Sequence, residues 1–206
     1  MKILIHPTYF PSIAHMVAVV RAEEVVFERF DNFQKQTYRN RTYIAHSNGK
    51  LLLNVPIKHT KSGKRRKTSE VEVENSFPWQ SQHWKSLQSA YRTSPFFEFY
   101  EDELAPLFEI PVVGLLDHNL VVFETVCELL GLETHFSFTT VYEPTPTCTD
   151  LRKLVEAKNE PDHGFDPYTQ VLESHHGFLP NLSILDLLFN EGPNALLYLE
   201  SQKLSF

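Results

Sequence analysis

The first thirty residues alternate short apolar runs with an amphipathic stretch. The run "KILIH" at residues 2–6 predicts a short buried strand, and "EVVFERF" at residues 24–30 predicts a second one. Between them, apolar residues of the segment 13–20 recur at i, i+3, i+4 and i+7, which is the spacing of one helix face, and Ser12 precedes them as an N-cap residue. Strand, loop, helix and strand in this order predict a βαβ unit with a parallel strand pair.

The next segment carries the pattern of a β-hairpin. Two β-rich arms in "TYIAHSNGKLLLNVPIK", residues 42–58, flank Asn48 and Gly49. Asn-Gly is typical of a type I′ turn, because both central residues of that turn have positive φ. In "TSEVEVEN", residues 68–75, valines alternate with acidic residues, and this alternation predicts a half-exposed strand.

The second half of the chain is mainly helical in pattern. Helices are predicted for "WQSQHWKSLQSAYR", "HNLVVFETVCELLG", "TDLRKLVEAK" and "NLSILDLLFNEGP", and a strand is predicted for "FSFTTVY". Asp117 precedes one helix as its capping residue, Thr149 or Asp150 caps another, and Ser183 with Asp186 has the spacing of a capping box. The 206 residues therefore predict one α/β domain over residues 1–206: a βαβ start, a mixed sheet that contains the hairpin, and a largely helical C-terminal half.

Composition and charge narrow the class of ligand. A hydrophobic content of 42% with 16 Phe is enough for a core, and no run approaches the roughly 20 apolar residues of a membrane span. The short apolar run at the N-terminus does not resemble a signal peptide, so we expect a cytoplasmic location. Residues 58–67, "KHTKSGKRRK", hold six basic residues and no acidic residue, whereas the whole chain has a net charge of −7. Because the remainder is strongly acidic, we expect a compact anion as the partner, and no nucleic acid.

Motifs for a metal or a cofactor are missing from the sequence. The chain contains two cysteines and no CxxC pair, and it contains no P-loop, no GxGxxG and no GxSxG. The two neighbouring histidines of "SHHG" do not form a metal site without further ligands. We therefore predict no metal site, and the cofactor is left unassigned.

The stretch "YRNRTYI" holds the strongest candidate for anion binding. On an extended strand, Arg39 and Arg41 would share one face, with Asn40 on the other, and two guanidiniums on one face can clamp a phosphate or a carboxylate. Lys35 could join them if the chain curves. The alternative is a solvated strand edge whose charges prevent aggregation. The basic segment 58–67 has two interpretations as well, a lid over a phosphate or a solvated loop.

Two histidines bracket the first loop. His6 ends the first predicted strand and His15 lies in the first predicted helix. This arrangement resembles the H-x-G-H loop of the nucleotidylyltransferases, in which imidazoles and a helix N-terminus hold nucleotide phosphates. The loop here, "HPTYFPSIAH", has no glycine and no H-x-G-H motif.

Six phrases along the chain resemble the WbqC-like protein family. They are "PTYFPSIAHM", "YRNRTYIAHSNGKLLLNVPIK", "HWKSLQSAYRTSPFFEFY", "TDLRKL", "YTQVLE" and "GFLPNLSILDLLFNEGP", in that order. The resemblance implies a bacterial protein, associated in some members with O-antigen or related surface polysaccharide genes, and a glycine or aminoacyl transferase role toward a sugar. It draws attention to these positions: Pro7, Tyr9, Pro11, Lys35, Arg39, Asn40, Arg41, Pro56, Lys58, His83, Tyr91, Asn181 and Asp186.

The first hypothesis is a transferase that moves an aminoacyl or acyl group onto a nucleotide-linked sugar. Substrate-binding roles then fall to Tyr9, Lys35, Arg39, Asn40, Arg41, Lys58 and Tyr91. In this scheme the two arginines and the lysine at position 58 hold a diphosphate or carboxylate, and the two tyrosines flank a ring. His15 is the candidate base that removes a proton from the attacking hydroxyl. The variant Arg39→Ala should then weaken ligand binding and leave the fold intact.

Two other hypotheses are consistent with the sequence. One is a nucleotidyl-transfer or nucleotide-binding enzyme that depends on His6 and His15. The other is a non-enzymatic adaptor in polysaccharide assembly, with the aromatic residues of "SPFFEFY" as a protein contact, although ordinary core packing explains such residues better. The sequence does not determine the oligomeric state.

Overall fold

The computed structural model describes residues 1–59, 65–158 and 160–205. Its strands are β1 (Lys2–Ile5), β2 (Glu24–Phe27), β3 (Arg41–His46), β4 (Gly49–Asn54), β5 (Phe136–Phe138) and β6 (Thr149–Asp150). Its α-helices are α1 (Ile13–Val20), α2 (Trp79–Tyr91), α3 (Phe97–Leu104), α4 (Pro106–Glu109), α5 (Leu115–Leu130), α6 (Glu173–His176), α7 (Ile184–Glu191) and α8 (Ala195–Ser201). Short 3₁₀ helices cover Thr68–Glu70, Arg152–Val155 and Gly192–Asn194.

A parallel sheet with the strand order β5-β2-β1-β6 is the centre of the fold. β1 and β2 pair in register from Lys2 opposite Glu24 to Ile5 opposite Phe27, so the predicted βαβ start is confirmed. The fold class, α/β with helices mostly in the C-terminal half, is confirmed as well. The hairpin lies outside the parallel sheet, because β3 and β4 pair with each other and form a second, two-stranded sheet.

The main core lies against one face of the parallel sheet. The alternate residues of β1 and β2 that point to this face belong to the same apolar cluster as most of α1 and α5: Ile3, Ile5, Val25 and Phe27. The Phe27 ring meets Phe123 of α5 edge-on, with 4.9 Å between the ring centroids. α1 is buried on nearly all sides rather than on one face, since α7 and α8 pack against it.

Helix capping agrees with the sequence at two positions and differs at a third. Ser12 caps α1, and its side chain accepts a hydrogen bond from the backbone N–H of His15. Ser183 caps α7 in the same way, through the N–H of Leu185. α5 begins earlier than predicted, with Gly114 at its N-cap, so Asp117 lies inside the first turn instead of capping it.

Three local predictions were wrong in detail. The hairpin exists, but His46 pairs with Gly49, so Ser47 and Asn48 form the turn and only Gly49 has positive φ, 106°. The predicted strand at residues 68–75 is a 3₁₀ helix followed by isolated bridges, because Asp31 binds Thr68 through both the backbone and the side chain. The helix predicted at residues 149–158 is reduced to a 3₁₀ turn, since its first residues pair with β1.

Within the described residues, no helix is both long enough and apolar enough to cross a membrane.

Candidate functional site

A polar cleft of about 580 Å³ opens at the carboxyl-terminal edge of the parallel sheet. The chain leaves β1 toward β2 on one side, while β6 joins the opposite edge of β1 after the crossover from β5. Crevices at such a change of direction, beyond the carboxyl ends of parallel strands, are the usual ligand sites of α/β sheets. The residues that line this polar cleft are His6, Phe30, Asp31, Asn32, Phe33, Gln34, Arg39, Arg65, Tyr142, Asp150, Arg152, Lys153, Val155 and Glu156.

The floor of the polar cleft is a buried ionic cluster around Arg39. One terminal nitrogen of this guanidinium donates to Asp31 Oδ2 and also lies 2.8 Å from His6 Nε2, and the other donates to Thr37 at 3.2 Å. The second oxygen of Asp31 accepts a hydrogen bond from the Thr68 hydroxyl at 2.6 Å. Arg39 is only 1% exposed, so this cluster is part of the interior and closes the bottom of the cleft.

His6 is held neutral by its surroundings. Burial, followed by the nearby charge of Arg39, lowers the pKa of the His6 imidazole well below its usual value. Because a guanidinium can only donate hydrogen bonds, Nε2 of His6 must be the accepting nitrogen. The lone pair of Nε2 is therefore occupied, and His6 is not free to act as a base on a ligand.

Arg152 forms a second ionic cluster on the wall of the polar cleft. It binds Asp150 through two hydrogen bonds, Nε to Oδ1 at 2.9 Å and Nη2 to Oδ2 at 2.6 Å, and its third nitrogen lies 3.5 Å from Glu28. Its guanidinium carbon lies 5.1 Å from the centroid of the Tyr142 ring. The hydrogen bonds from Arg152 lower the pKa of the Asp150 carboxyl. This arginine is therefore fixed in position before any ligand arrives.

Two cations of the lining have no carboxylate partner among the described residues. They are Arg65 and Lys153, and both side chains border the polar cleft. A phosphate or carboxylate in the cleft can pair with them without breaking an existing ion pair. The cleft thus combines preorganised, neutralised walls with two available positive charges.

The predicted clamp of Arg39 and Arg41 is not formed. β3 begins only at Arg41, and Arg39 lies in the preceding turn, so the two side chains do not share a strand face. Arg39 borders the polar cleft, whereas Arg41 lines a different cavity of about 540 Å³ together with Lys35 and Asn40. The structure therefore divides the residues of the predicted anion clamp between two cavities.

Both predicted ring-flanking tyrosines belong to the core. Tyr9 is completely buried, and its hydroxyl lies 2.9 Å from Nδ1 of His83. Tyr91 is also completely buried, donates to Asp186 Oδ1 at 2.8 Å, and accepts the N–H of Ala45 at 2.9 Å. Neither ring lines one of the cavities described here, so the role of the two tyrosines beside a substrate ring stays a prediction, and the structure shows them as packed core residues.

Asp186 has a different role from the predicted capping box. Its carboxylate accepts hydrogen bonds from Tyr91, Tyr168 at 2.5 Å and Gln170 at 2.9 Å, and none from the helix start. Burial raises the pKa of Asp186. This network ties α7 to α2 and to the segment around residue 168.

Of the basic segment 58–67, only residues 58, 59 and 65–67 belong to the described part of the chain. Lys58 is exposed and its ammonium pairs with Glu72 at 2.7 Å, which raises the pKa of Lys58. Residues 60–64 of the segment 58–67 lie outside the described residues, so the choice between a lid and a solvated loop stays a prediction. Of the remainder, Arg65 alone borders the polar cleft.

His15, the predicted base, lies in the interior and borders only a cavity of about 10 Å³. Its Nδ1 is 3.0 Å from the Ser12 hydroxyl, and burial lowers the pKa of His15 to about 3. The imidazole is 2% exposed, so it cannot reach a ligand in the polar cleft without rearrangement of α1.

The N-terminus of α1 has no free amide for a phosphate. The N–H of Ile13 donates to the Leu182 carbonyl at 3.0 Å, and the N–H of Ala14 donates to the Asn181 side chain at 2.8 Å. The N–H of His15 is used by the Ser12 hydroxyl. The likeness to the phosphate-binding loop of nucleotidylyltransferases therefore stops at the topology.

Sequence reasoning missed most of the polar cleft. Asp31 was not considered, Asp150 was interpreted only as a cap, and Arg152, Arg65 and Lys153 were not singled out. A usable signal existed, because charged residues directly after β2 and within "TDLRK" fall at the carboxyl ends of parallel strands.

Comparison with known proteins places the chain among relatives of unestablished function. A family model described as the WbqC-like protein family matches residues 6–160. The chain is 25% identical over 225 aligned residues to the uncharacterized protein Rv1507c of Mycobacterium tuberculosis, and the alignment covers 95% of this chain and 96% of that protein. No solved structure matches the chain.

Proposed function

Because the chain belongs to the WbqC-like protein family, we propose that it is a transferase that moves an aminoacyl or other acyl group onto a nucleotide-linked sugar. The polar cleft binds the phosphates of that sugar. The observation that carries this proposal is the position of Arg65 and Lys153, two cations without ion pairs among the described residues, over a cleft at the carboxyl edge of a parallel sheet.

The polar cleft is better suited to binding than to proton transfer. Nε2 of His6 accepts a hydrogen bond from Arg39, and both oxygens of Asp31 also accept hydrogen bonds. The His6 imidazole therefore has no free lone pair, and the Asp31 carboxylate is fixed in the buried floor as the counter-ion of Arg39. These groups instead hold the Arg39 guanidinium in a neutralised ion pair, and the positive potential for the phosphates comes from Arg65 and Lys153.

The geometry gives less support to the two alternatives. A nucleotidyl-transfer enzyme of the type considered above needs phosphate donors at the start of α1, and Ile13, Ala14 and His15 already use theirs within the protein. In the adaptor hypothesis, "SPFFEFY" supplies an exposed aromatic contact. Of its four aromatic residues, Phe97 and Tyr100 are buried, Phe96 is half-buried, and Phe99 alone is exposed, so the stretch offers one aromatic ring to a partner.

The first test is calorimetric titration with nucleotide-linked sugars, free nucleotides, amino acids and acyl-coenzyme A. We expect a nucleotide-linked sugar to bind, and Lys153→Ala to weaken its binding by about 10- to 100-fold, since one charge-assisted hydrogen bond to phosphate is worth about 1.5–3 kcal/mol. Lys85→Ala is the matched control, because Lys85 is exposed on α2 and lies outside the cleft. Binding of ATP alone, or equal effects of the two variants, would count against the proposal.

A further inference from the structure

A second cavity of about 510 Å³ adjoins the polar cleft. The two cavities share Asp150, Lys153 and Glu156 in their linings, so they form neighbouring parts of one depression. The part beyond these shared residues, here called the apolar lobe, is lined by Leu151, Leu154, Pro161, Glu160, Thr149 and His163. Apolar side chains with a few polar groups, of which Glu160 is the one carboxylate outside the shared residues, are the composition of a binding site that orients its ligand through a small number of polar contacts.

Glu160 is held in place by two buried side chains. Its Oε1 accepts hydrogen bonds from the Tyr38 hydroxyl at 2.9 Å and from the Asn181 amide at 2.5 Å. Tyr38 and Asn181 are 2% and 6% exposed. The backbone of Asn181 has a positive φ of 51°, and its side-chain oxygen accepts the N–H of Ala14 at the start of α1. Tyr38 and Asn181 therefore tie the carboxylate to the rigid part of the fold.

The other oxygen of this carboxylate, Oε2, accepts no hydrogen bond from any residue that the structure describes. An ionised carboxylate has room for about four hydrogen bonds, and here the two that are observed converge on Oε1. Burial raises the pKa of Glu160, and the hydrogen bonds from Tyr38 and Asn181 together with the nearby charge of Lys50 offset only part of this rise. A ligand hydroxyl in the apolar lobe would supply a further donor.

We propose that the apolar lobe binds the sugar ring of the nucleotide-linked ligand, and that Oε2 of Glu160 accepts a hydrogen bond from one of its hydroxyl groups. The proposal rests on the proposed function, because the phosphates occupy the neighbouring polar cleft. Lys153 borders both cavities, so a phosphate beside it leads directly into the apolar lobe. Leu151, Leu154 and Pro161 then contact the C–H groups of the ring, and Glu160 selects for a hydroxyl at the facing position.

The test compares nucleoside diphosphates with the same diphosphates linked to a sugar, using UDP, GDP and dTDP series in calorimetric titration. We expect the sugar to increase the affinity of the wild-type protein at least tenfold. Glu160→Ala should abolish this gain and leave the affinity for the free diphosphate unchanged. Glu133→Ala is the control, because Glu133 is an exposed glutamate that lines neither cavity.

A second measurement distinguishes recognition by Glu160 from a structural effect of the mutation. The gain from the sugar should diminish as the pH falls through the raised pKa of Glu160, because the protonated carboxyl loses its charge, whereas the affinity for free diphosphate should change less. Glu160→Gln, which preserves the shape, should show no such pH dependence.

The possible failures separate the two proposals. Binding of the free diphosphate with no gain from the sugar, or equal weakening of both ligands by Glu160→Ala, would overturn the assignment of the apolar lobe alone. Absence of any binding by diphosphates and their sugars would overturn the proposed function together with it.

Discussion

Replacing Arg39 by alanine tests how the floor of the polar cleft is built. The sequence alone predicts that Arg39→Ala weakens ligand binding and spares the fold. In the structure the Arg39 guanidinium is buried and donates hydrogen bonds to Asp31, His6 and Thr37. Removing it leaves the carboxylate of Asp31, which is 8% exposed, without its counter-charge.

The expected cost follows from this geometry. Breaking a buried ion pair by removal of one partner costs about 3–5 kcal/mol, because the remaining charge is neither solvated nor paired. A domain of this size has a free energy of unfolding of about 5–15 kcal/mol, so the loss is a large fraction of the total. Each kcal/mol corresponds to about 2–4 °C for a domain of 150–250 residues, and we therefore expect the melting temperature to fall by roughly 6–20 °C.

Urea unfolding followed by circular dichroism measures this difference. Arg65→Ala is the control, since Arg65 borders the same cleft but has no ion pair among the described residues, and its effect should stay within about 0.5 kcal/mol. The double variant Arg39→Ala with Asp31→Ala should cost less than the sum of the single variants, because it removes the orphaned charge as well. If Arg39→Ala alone lies within about 1 kcal/mol of the wild type, the buried cluster is not a stabilising element and the reasoning is refuted.

Three further predictions follow from other buried groups. Tyr91→Phe should cost about 2–4 kcal/mol in urea unfolding, because Asp186 and a backbone N–H both lose a buried hydrogen bond. His15 stays neutral in the folded protein with a pKa of about 3, while the unfolded chain binds a proton below pH 6.5, so stability falls as the pH drops. His15→Gln should remove about 2 kcal/mol of the loss between pH 6.5 and pH 5, measured by urea unfolding at both values. Gly192→Ala should cost about 2–4 kcal/mol, because its Cβ would lie 2.5 Å from the Phe96 ring and its φ is 52°.

Each of these predictions has a control in the same chain. Tyr142→Phe changes an exposed tyrosine and should shift stability by less than about 0.5 kcal/mol. His175→Gln replaces an exposed histidine and should leave the pH dependence unchanged. Gly131→Ala places a Cβ where no atom lies within 4 Å at a φ of 66°, so only the backbone penalty of about 1–2 kcal/mol remains. If a control and its partner variant changed stability equally, the contact named for that variant would not be the cause of its effect.

The elements that the sequence predicted correctly are those that depend on neighbours along the chain. The apolar periodicity of residues 13–20 and the serine caps of α1 and α7 are local, because they involve residues within about one helical turn. The βαβ start is local in the same sense, since a short connection leaves few ways to place two buried strands.

Tertiary structure determined which residues pair with the buried polar groups. A periodic pattern reports whether a position is buried, but it carries no information about which distant residue satisfies a buried charge. Arg39 meets His6, 33 residues away, and Tyr91 meets Asp186, 95 residues away. The same packing buried Tyr9 and His15, which local residue type had assigned to the substrate.

The sequence by itself therefore determined the family, the fold class, most strands and the two longest helices that the structure describes, α2 and α5, because each of these is expressed in local phrases and spacings. Only the tertiary structure decided which cations are neutralised and which are available. Arg39 forms an ion pair with Asp31, and Lys58 forms one with Glu72. Arg65 and Lys153 border the polar cleft and have no ion pair among the described residues. The physical reason is that burying a charge requires a partner at contact distance, and the fold brings that partner from remote parts of the chain.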